Sequence, residues 1–159
     1  MTAGLTSLFI NIEEDKAVKS VTNFSPVEPR FGLKWNINDR SALSFGLGYH
    51  SQTQPLYSRY YINEGSTSAH NRGLDLTYSK HIVFGYSQKL NKNFGLKTEV
   101  YYQDLTGIPV EVSPSAFSLT NAGSGFARVF PGTLSNEGTG FNYGLEFTLQ
   151  RYFNKNWHA

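Results

Sequence analysis

Few residues in this chain have the types and spacing that chemistry requires. Its imidazoles are His50, His70, His81 and His158, and none recurs at the short interval that would bring two onto one metal. His50 and His81 instead fall in the polar phase of alternating segments, so they read as residues lining a polar face rather than as zinc ligands. Glu99 and Glu146 would suit an acid pair. They sit on separate segments with Lys97 close by, which points to ion pairing on the same face. Gly123-Ser124-Gly125 resembles half of a phosphate loop, yet no helix follows it and no Lys-Ser/Thr completes it. Asn23-Phe24-Ser25 matches a glycosylation acceptor by composition alone. No catalytic residue, cofactor or metal is expected. One mixed aromatic and basic set remains, Tyr57, Arg59, Tyr60, Tyr61, Phe126, Arg128 and Phe130. From it Arg59, Tyr60, Tyr61, Phe126 and Arg128 are candidates for ligand contact, with packing of the loop residues on one another as the other reading.

The elements that would position these residues are strands. In residues 81 to 103, Ile82, Phe84, Tyr86 and Leu90 alternate with His81, Gly85, Ser87 and Lys89. Leu96, Thr98, Val100 and Tyr102 then alternate with Lys97, Glu99, Tyr101 and Gln103, and Asn91-Lys92-Asn93 supplies the turn between them. The same design recurs where Phe31, Leu33, Trp35 and Ile37 precede Asn38-Asp39-Arg40, and Leu43, Phe45, Leu47 and Tyr49 follow. Tyr143, Leu145, Phe147 and Leu149 form a further strand before Asn154-Lys155-Asn156, and residues 3 to 10 an initial one. Between these runs, residues 11 to 25, 51 to 77 and 104 to 140 lose the alternation and read as loops.

Composition narrows the class. An aromatic share of 15% with 15 glycines favours β structure over helix. Fourteen basic against 12 acidic residues leave a net charge of +2 with no clustered basic run, which excludes a nucleic-acid stripe. The absence of cysteine excludes disulfides and thiolate metal sites. No apolar run reaches the roughly 18 residues of a membrane-spanning helix, and the first residues lack a charged-then-apolar leader. A mean hydropathy of -0.38 suits a soluble protein, but a membrane barrel with a polar interior averages to the same value.

The order of connections decides more. Short turns near residues 39, 92 and 155 alternate with long connections near 18, 65 and 122, so an up-and-down meander collects short turns at one end and long loops at the other. That asymmetry is the one an outer-membrane barrel shows, and the alternating runs approach the ~9 to 11 residues that cross a bilayer. Gly32, Gly46, Gly48, Gly85 and Gly144 share the polar face with Lys34, Lys97, Glu99 and Glu146, a mixture that suits a lumen. Trp35, Tyr49, Tyr102, Tyr143 and Phe153 lie near strand ends, where an aromatic girdle would be.

The phrases VEPRFGLKWNIN, LSFGLGYHSQTQPL, HIVFGYSQKLNKNFGLKTEVYYQDLTGIPVEV and GSGFARVFPGTLSNEGTGFNYGLEFTLQRYF resemble consecutive barrel strands and loops of bacterial TonB-dependent receptors. The resemblance is to the group with a carboxypeptidase-regulatory-like domain, and it runs from about Ala3 to Trp157. It implies energy-coupled uptake of a scarce ligand, such as a metal chelate or an oligosaccharide, across the bacterial outer membrane. The implied partners are outer-membrane lipid, the transported ligand and the TonB complex, the last through a plug domain that these residues do not include. The fold class expected is therefore all-β, an antiparallel up-and-down meander. Residues 1–159 would form an internal fragment of one barrel domain, about six strands of a larger partial transmembrane β-barrel, with short periplasmic turns and long extracellular loops. It is not expected to be an enzyme; the alternatives are a passive porin or barrel enzyme of the same membrane, or a soluble β-sheet binding module.

Overall fold

The alternating runs become a single antiparallel meander. The computed structural model describes residues 1–7, 9–12, 21–24, 26–62, 65, 67–121 and 132–152. Its strands are β1 (Thr2–Thr6), β2 (Phe9–Ile12), β3 (Val21–Phe24), β4 (Glu28–Asn38), β5 (Ser41–Gln52), β6 (Thr77–Lys89), β7 (Phe94–Glu111) and β8 (Leu134–Arg151), with a short helix α1 (Leu56–Arg59). A six-stranded sheet runs β1-β4-β5-β6-β7-β8, so it is all-β with neighbours in chain order after β4 and β1 and β8 as its edges. β2 and β3 pair separately as a two-stranded ribbon in the connection from β1 to β4.

Cross-strand register explains why the two faces differ. Phe31, Leu47, Ile82, Tyr102 and Tyr143 lie side by side in one lateral row, and Leu33, Phe45, Phe84, Val100 and Leu145 in the next. Directly opposed residues share a face, so each hairpin's apolar phase is continued by its neighbour. Among the described residues no element covers this apolar surface: Phe84 is 50% exposed and Phe147 67%. Toward the long loops, the row Tyr49, Lys80, Asp104 and Phe141 brings the first charges onto this face. Stacked rings mark that boundary, Tyr49 on Tyr78 with centroids 5.8 Å apart, Tyr102 on Phe141 at 6.5 Å and Phe141 on Tyr143 at 6.2 Å. Trp35, 64% exposed, lies toward the opposite end, and Phe153 lies outside the described residues.

Asparagine side chains close the short turns. Asn38 Oδ1 accepts the Arg40 N–H at 2.8 Å. Asn91 Oδ1 accepts the N–H groups of Asn93 at 2.8 Å and Phe94 at 3.0 Å, supplying the acceptor that the backbone lacks there. The turn expected near residue 155 lies outside the described residues.

At the other end the structure corrects the expected boundaries. The first strand stops at Thr6, residues 21–24 are extended rather than loop, and residues 104–111 and 134–140 prolong β7 and β8. Alternation fails in that extension because the register shifts between Thr106 and Ile108 and again between Ile108 and Val110, which moves side chains between faces. Gly107 makes the first shift possible with φ +71°, and a Cβ there would come 2.8 Å from the Leu76 carbonyl oxygen. Gly107→Ala should therefore lower unfolding stability of the complete protein by about 2 to 3 kcal/mol, from left-handed backbone cost plus the displaced carbonyl. Urea titration checks this, and a loss below about 0.5 kcal/mol, within the range of ordinary surface substitutions, would mean the bulge relaxes freely. Above the bulge lies the main buried cluster among the described residues, with Leu74, Ile108 and Leu134 no more than 6% exposed and Pro109 fully buried. The sheet is thus a wall exposed on its apolar face, and the packed core belongs to the loop end.

Candidate functional site

The polar face carries a lateral stripe just beneath the long loops. Register sets Arg30 of β4 beside Gly48 of β5, then His81 of β6, Gln103 of β7 and Asn142 of β8. Gln103 Nε2 donates to Ser79 Oγ at 2.7 Å, and Asn142 Nδ2 donates to Gln103 Oε1 at 3.2 Å. At Gly48 the missing side chain is filled by neighbours, because a Cβ would meet the His81 ring and lie 2.9 Å from His50 Nε2. Those two imidazoles stack with centroids 4.8 Å apart and planes 6° from parallel. Behind them Glu28 is buried at 6% exposure; its Oε1 accepts the Ser51 N–H at 2.8 Å and the Ser51 hydroxyl at 2.7 Å. Glu28 Oε2 lies 3.7 Å from both Arg30 Nη2 and His50 Nδ1.

Metal chemistry does not follow from this cluster. Ring nitrogens bind metals in the ring plane at about 2.0 to 2.1 Å, and two parallel stacked planes cannot converge on one ion. Among the described residues no group of His, Cys, Asp and Glu is arranged to hold a metal. Glu99 and Glu146, one strand apart, are directly opposed. Like charges so placed repel, and the contacts that offset this are Lys97 Nζ on Glu99 Oε2 at 2.5 Å and the Thr148 hydroxyl donating to Glu146 Oε1 at 3.3 Å. Glu99 is thus ion-paired and Glu146 hydrogen-bonded on the same face.

The loop candidates are placed differently. Arg59 ends α1 at 8% exposure, its Nε donating to the Arg72 carbonyl at 2.9 Å. The Tyr60 ring lies under the Arg72 guanidinium at 5.8 Å, and Tyr61 is half-buried in the same loop. Phe126 and Arg128 lie outside the described residues, so the structure brings Arg59 and Tyr60 together within one loop and places no ligand-facing set of all five. What organises the loop is Asn71, 3% exposed. Its Nδ2 donates to the carbonyls of Gly132 at 2.9 Å and Ser58 at 3.3 Å, and its Oδ1 accepts the Leu134 N–H at 2.8 Å. Nearby Asn136 ties Asp75 and Gly107 together in the same way. A cavity of about 300 Å³ between Gln54, Tyr57, Pro109 and Thr120 opens beside this network.

Sequence reasoning did not single out Glu28, Arg30, Gln103, Asn142 or Asn71 as site or organising residues. For the first four the only available signal was their polar phase; which residues stand beside them depends on strand register. For Asn71 no local signal exists, because its partners lie 13 residues away at Ser58 and 61 and 63 away at Gly132 and Leu134.

By sequence, no family model and no curated protein matches the chain. Among solved structures it is similar to the FrpB iron transporter from Neisseria meningitidis (F3-3 variant), with a TM-score of 0.62 at 16% identity. The match covers 96% of this chain and 21% of that one, so the chain spans about a fifth of the transporter's length. At this identity the likeness establishes the fold, an antiparallel barrel wall.

Proposed function

We propose that the chain forms wall and extracellular loops of a TonB-dependent transporter of the bacterial outer membrane, of the group with a carboxypeptidase-regulatory-like domain, and carries out no catalysis. The observation that carries this reading is the apolar face that no described element covers, continuous across β4 to β8 and bounded toward the long loops by stacked aromatic rings. In water such a face would drive association; against lipid it is satisfied, while the glycine-rich face with Lys34, Lys97, Glu99 and Glu146 meets an aqueous lumen. Short turns then lie at the periplasmic end and long loops outside. β7, with 18 residues, is about 60 Å long and exceeds what a tilted bilayer crossing needs, so its upper part stands above the membrane and carries the loop core. The fold likeness to an iron transporter and the resemblance of the strand phrases to TonB-dependent receptors support the same assignment. Arg59, Tyr60, Tyr61, Phe126 and Arg128 belong to the extracellular mouth on this reading, where they meet incoming ligand or order the loops that do.

Gating separates this function from a passive pore. The complete protein, purified from outer membranes and reconstituted in planar bilayers, is expected to show no steady conductance and to be retained by the immobilised periplasmic domain of TonB. Steady conductance without that retention would assign it as a porin, and recovery of the complete protein in the soluble fraction would overturn the membrane placement altogether.

A further inference from the structure

We infer that the short-turn end of the polar face carries a binding site for a small phosphorylated molecule. The inference does not depend on the transport reading, since it needs only the strand register and the charges that register brings together. A cavity of about 630 Å³ lies there, lined among others by Lys34, Asn36, Arg40, Lys89, Lys97 and Tyr152. That volume falls within the roughly 300 to 1,000 Å³ of small-molecule pockets. Backbone pairing holds two of the cations side by side, because the Lys89 N–H donates to the Arg40 carbonyl at 2.7 Å. Lys97 follows on the diagonal, two residues beyond Gly95, the partner of Lys89 on the next strand. Diagonal neighbours of this kind stand about 7 to 8 Å apart, within reach of long side chains.

Like charges placed opposite one another in this way repel. Among the described residues no ion pair joins Lys34, Arg40 or Lys89 to a carboxylate, although Asp39 shares the cavity. Lys97 is held by Glu99, which stands with Glu146 one row further from the turns. Those two acids therefore lie on the side away from Arg40 and Lys89, and the floor of the cavity keeps an excess of positive charge. An anion seated between Arg40 and Lys89 turns their repulsion into two charge-assisted contacts.

The rest of the lining is rich in donors. Gly95 stands opposite both Lys89 and Gln150, and the Tyr152 hydroxyl oxygen lies 2.5 Å from where a Gly95 Cβ would be. Glycine at 95 thus lets a phenol and an amide join the two cations in one row. The Asn38 side-chain oxygen already accepts the Arg40 N–H, which leaves the Asn38 amide N–H groups for a ligand. Phosphate is the anion that fits this set. It offers three acceptor oxygens where a carboxylate offers two, an Arg guanidinium engages it through two parallel hydrogen bonds, and a Lys neutralises its charge. From Arg40 to Gln150 the row crosses three strand spacings, about 14 Å at ~4.8 Å each, which leaves room beside a phosphate for the organic part of a small ester.

The test uses the complete protein in detergent, titrated calorimetrically at fixed ionic strength with inorganic pyrophosphate, glycerol 3-phosphate, citrate and dihexanoyl phosphatidic acid. Arg40→Gln and Lys89→Gln are compared with Lys80→Gln, which removes the same charge from the opposite face, and each is first shown to be a heat-modifiable barrel. Removing either cation relieves the repulsion, so the first two variants should fold at least as stably as the wild type. Pyrophosphate or glycerol 3-phosphate should bind more tightly than citrate. Arg40→Gln and Lys89→Gln should each weaken that binding by about tenfold or more, and Lys80→Gln by less than about twofold. Binding of neither soluble phosphate would overturn the inference, as would equal weakening by Lys80→Gln, the mark of a general effect of net charge. Tighter binding of citrate would overturn the phosphate class. Binding of phosphatidic acid with neither soluble phosphate bound would overturn the soluble ligand and assign the cavity to a lipid headgroup.

Discussion

Phe84→Arg should lower the stability of the complete barrel by about 2 to 4 kcal/mol, whereas Ser87→Arg should cost less than about 1 kcal/mol. The two residues are three apart on β6 and therefore lie on opposite faces of the sheet. Phe84 lies in the row Leu33, Phe45, Val100 and Leu145, between the row of Trp35, Leu43, Tyr86 and Phe147 toward the short turns and that of Phe31, Leu47, Ile82 and Tyr102 toward the long loops, which puts it near the middle of the apolar belt. On the proposed lipid-facing placement a guanidinium there has neither water nor a counter-ion within reach, since the first charges on that face are Lys80 and Asp104, beyond the next row. Ser87 lies on the polar face between Ala42 and Lys97, and its hydroxyl donates to the Ala42 carbonyl at 3.4 Å. Arginine there loses that weak bond and meets Lys97 across the strand, a repulsion of several tenths of a kcal/mol in water. Urea unfolding from lipid vesicles followed by tryptophan fluorescence measures both. Equal losses, or a larger one at Ser87, would reverse the assignment of the faces.

The second large effect is at Asn71, where Asn71→Ala should destabilise the long loops by about 2 to 4 kcal/mol. The residue is buried, and its removal strands the Leu134 N–H and the carbonyls of Gly132 and Ser58 without partners. Leaving such groups unsatisfied costs more than the hydrogen bonds contribute, because water cannot replace Asn71 in a packed cluster. Asn71→Asp should be worse than alanine. It keeps the acceptor for Leu134 but aims a second carboxylate oxygen at two carbonyls, turning two attractive contacts repulsive. Hydrogen exchange or protease cleavage between residues 53 and 76 in whole cells reads the loop directly, while the heat-modifiability of the barrel should be unchanged. If both variants leave cleavage at the wild-type rate, the loop is not held by Asn71.

Much of the wall was legible because alternation is a local property. Ile82, Phe84 and Tyr86 must share a face whatever the rest of the chain does, and the Asn-rich turns at 38–40 and 91–93 force neighbouring strands to be antiparallel. The upper halves of β7 and β8 were not legible. Each register shift near Gly107 interrupts the period of two, so a strand with bulges has the same pattern as a loop. The aromatic and basic loop residues stood out by type. Yet Arg59 is occupied by the Arg72 carbonyl, and the buried residue that joins the two long loops is the inconspicuous Asn71.

What the sequence determined by itself is the kind of surface each strand presents, since side-chain direction in a strand depends only on parity, together with the end at which the chain turns quickly. The tertiary structure decided which surfaces meet. Register placed His81 over Gly48 and Tyr101 over Gly144, set Glu99 against Glu146, and tied residue 71 to residues 132 and 134. Those are contacts between distant segments. Their geometry is set by hydrogen-bond register and bulges, and a residue's own neighbours in the chain carry no record of either.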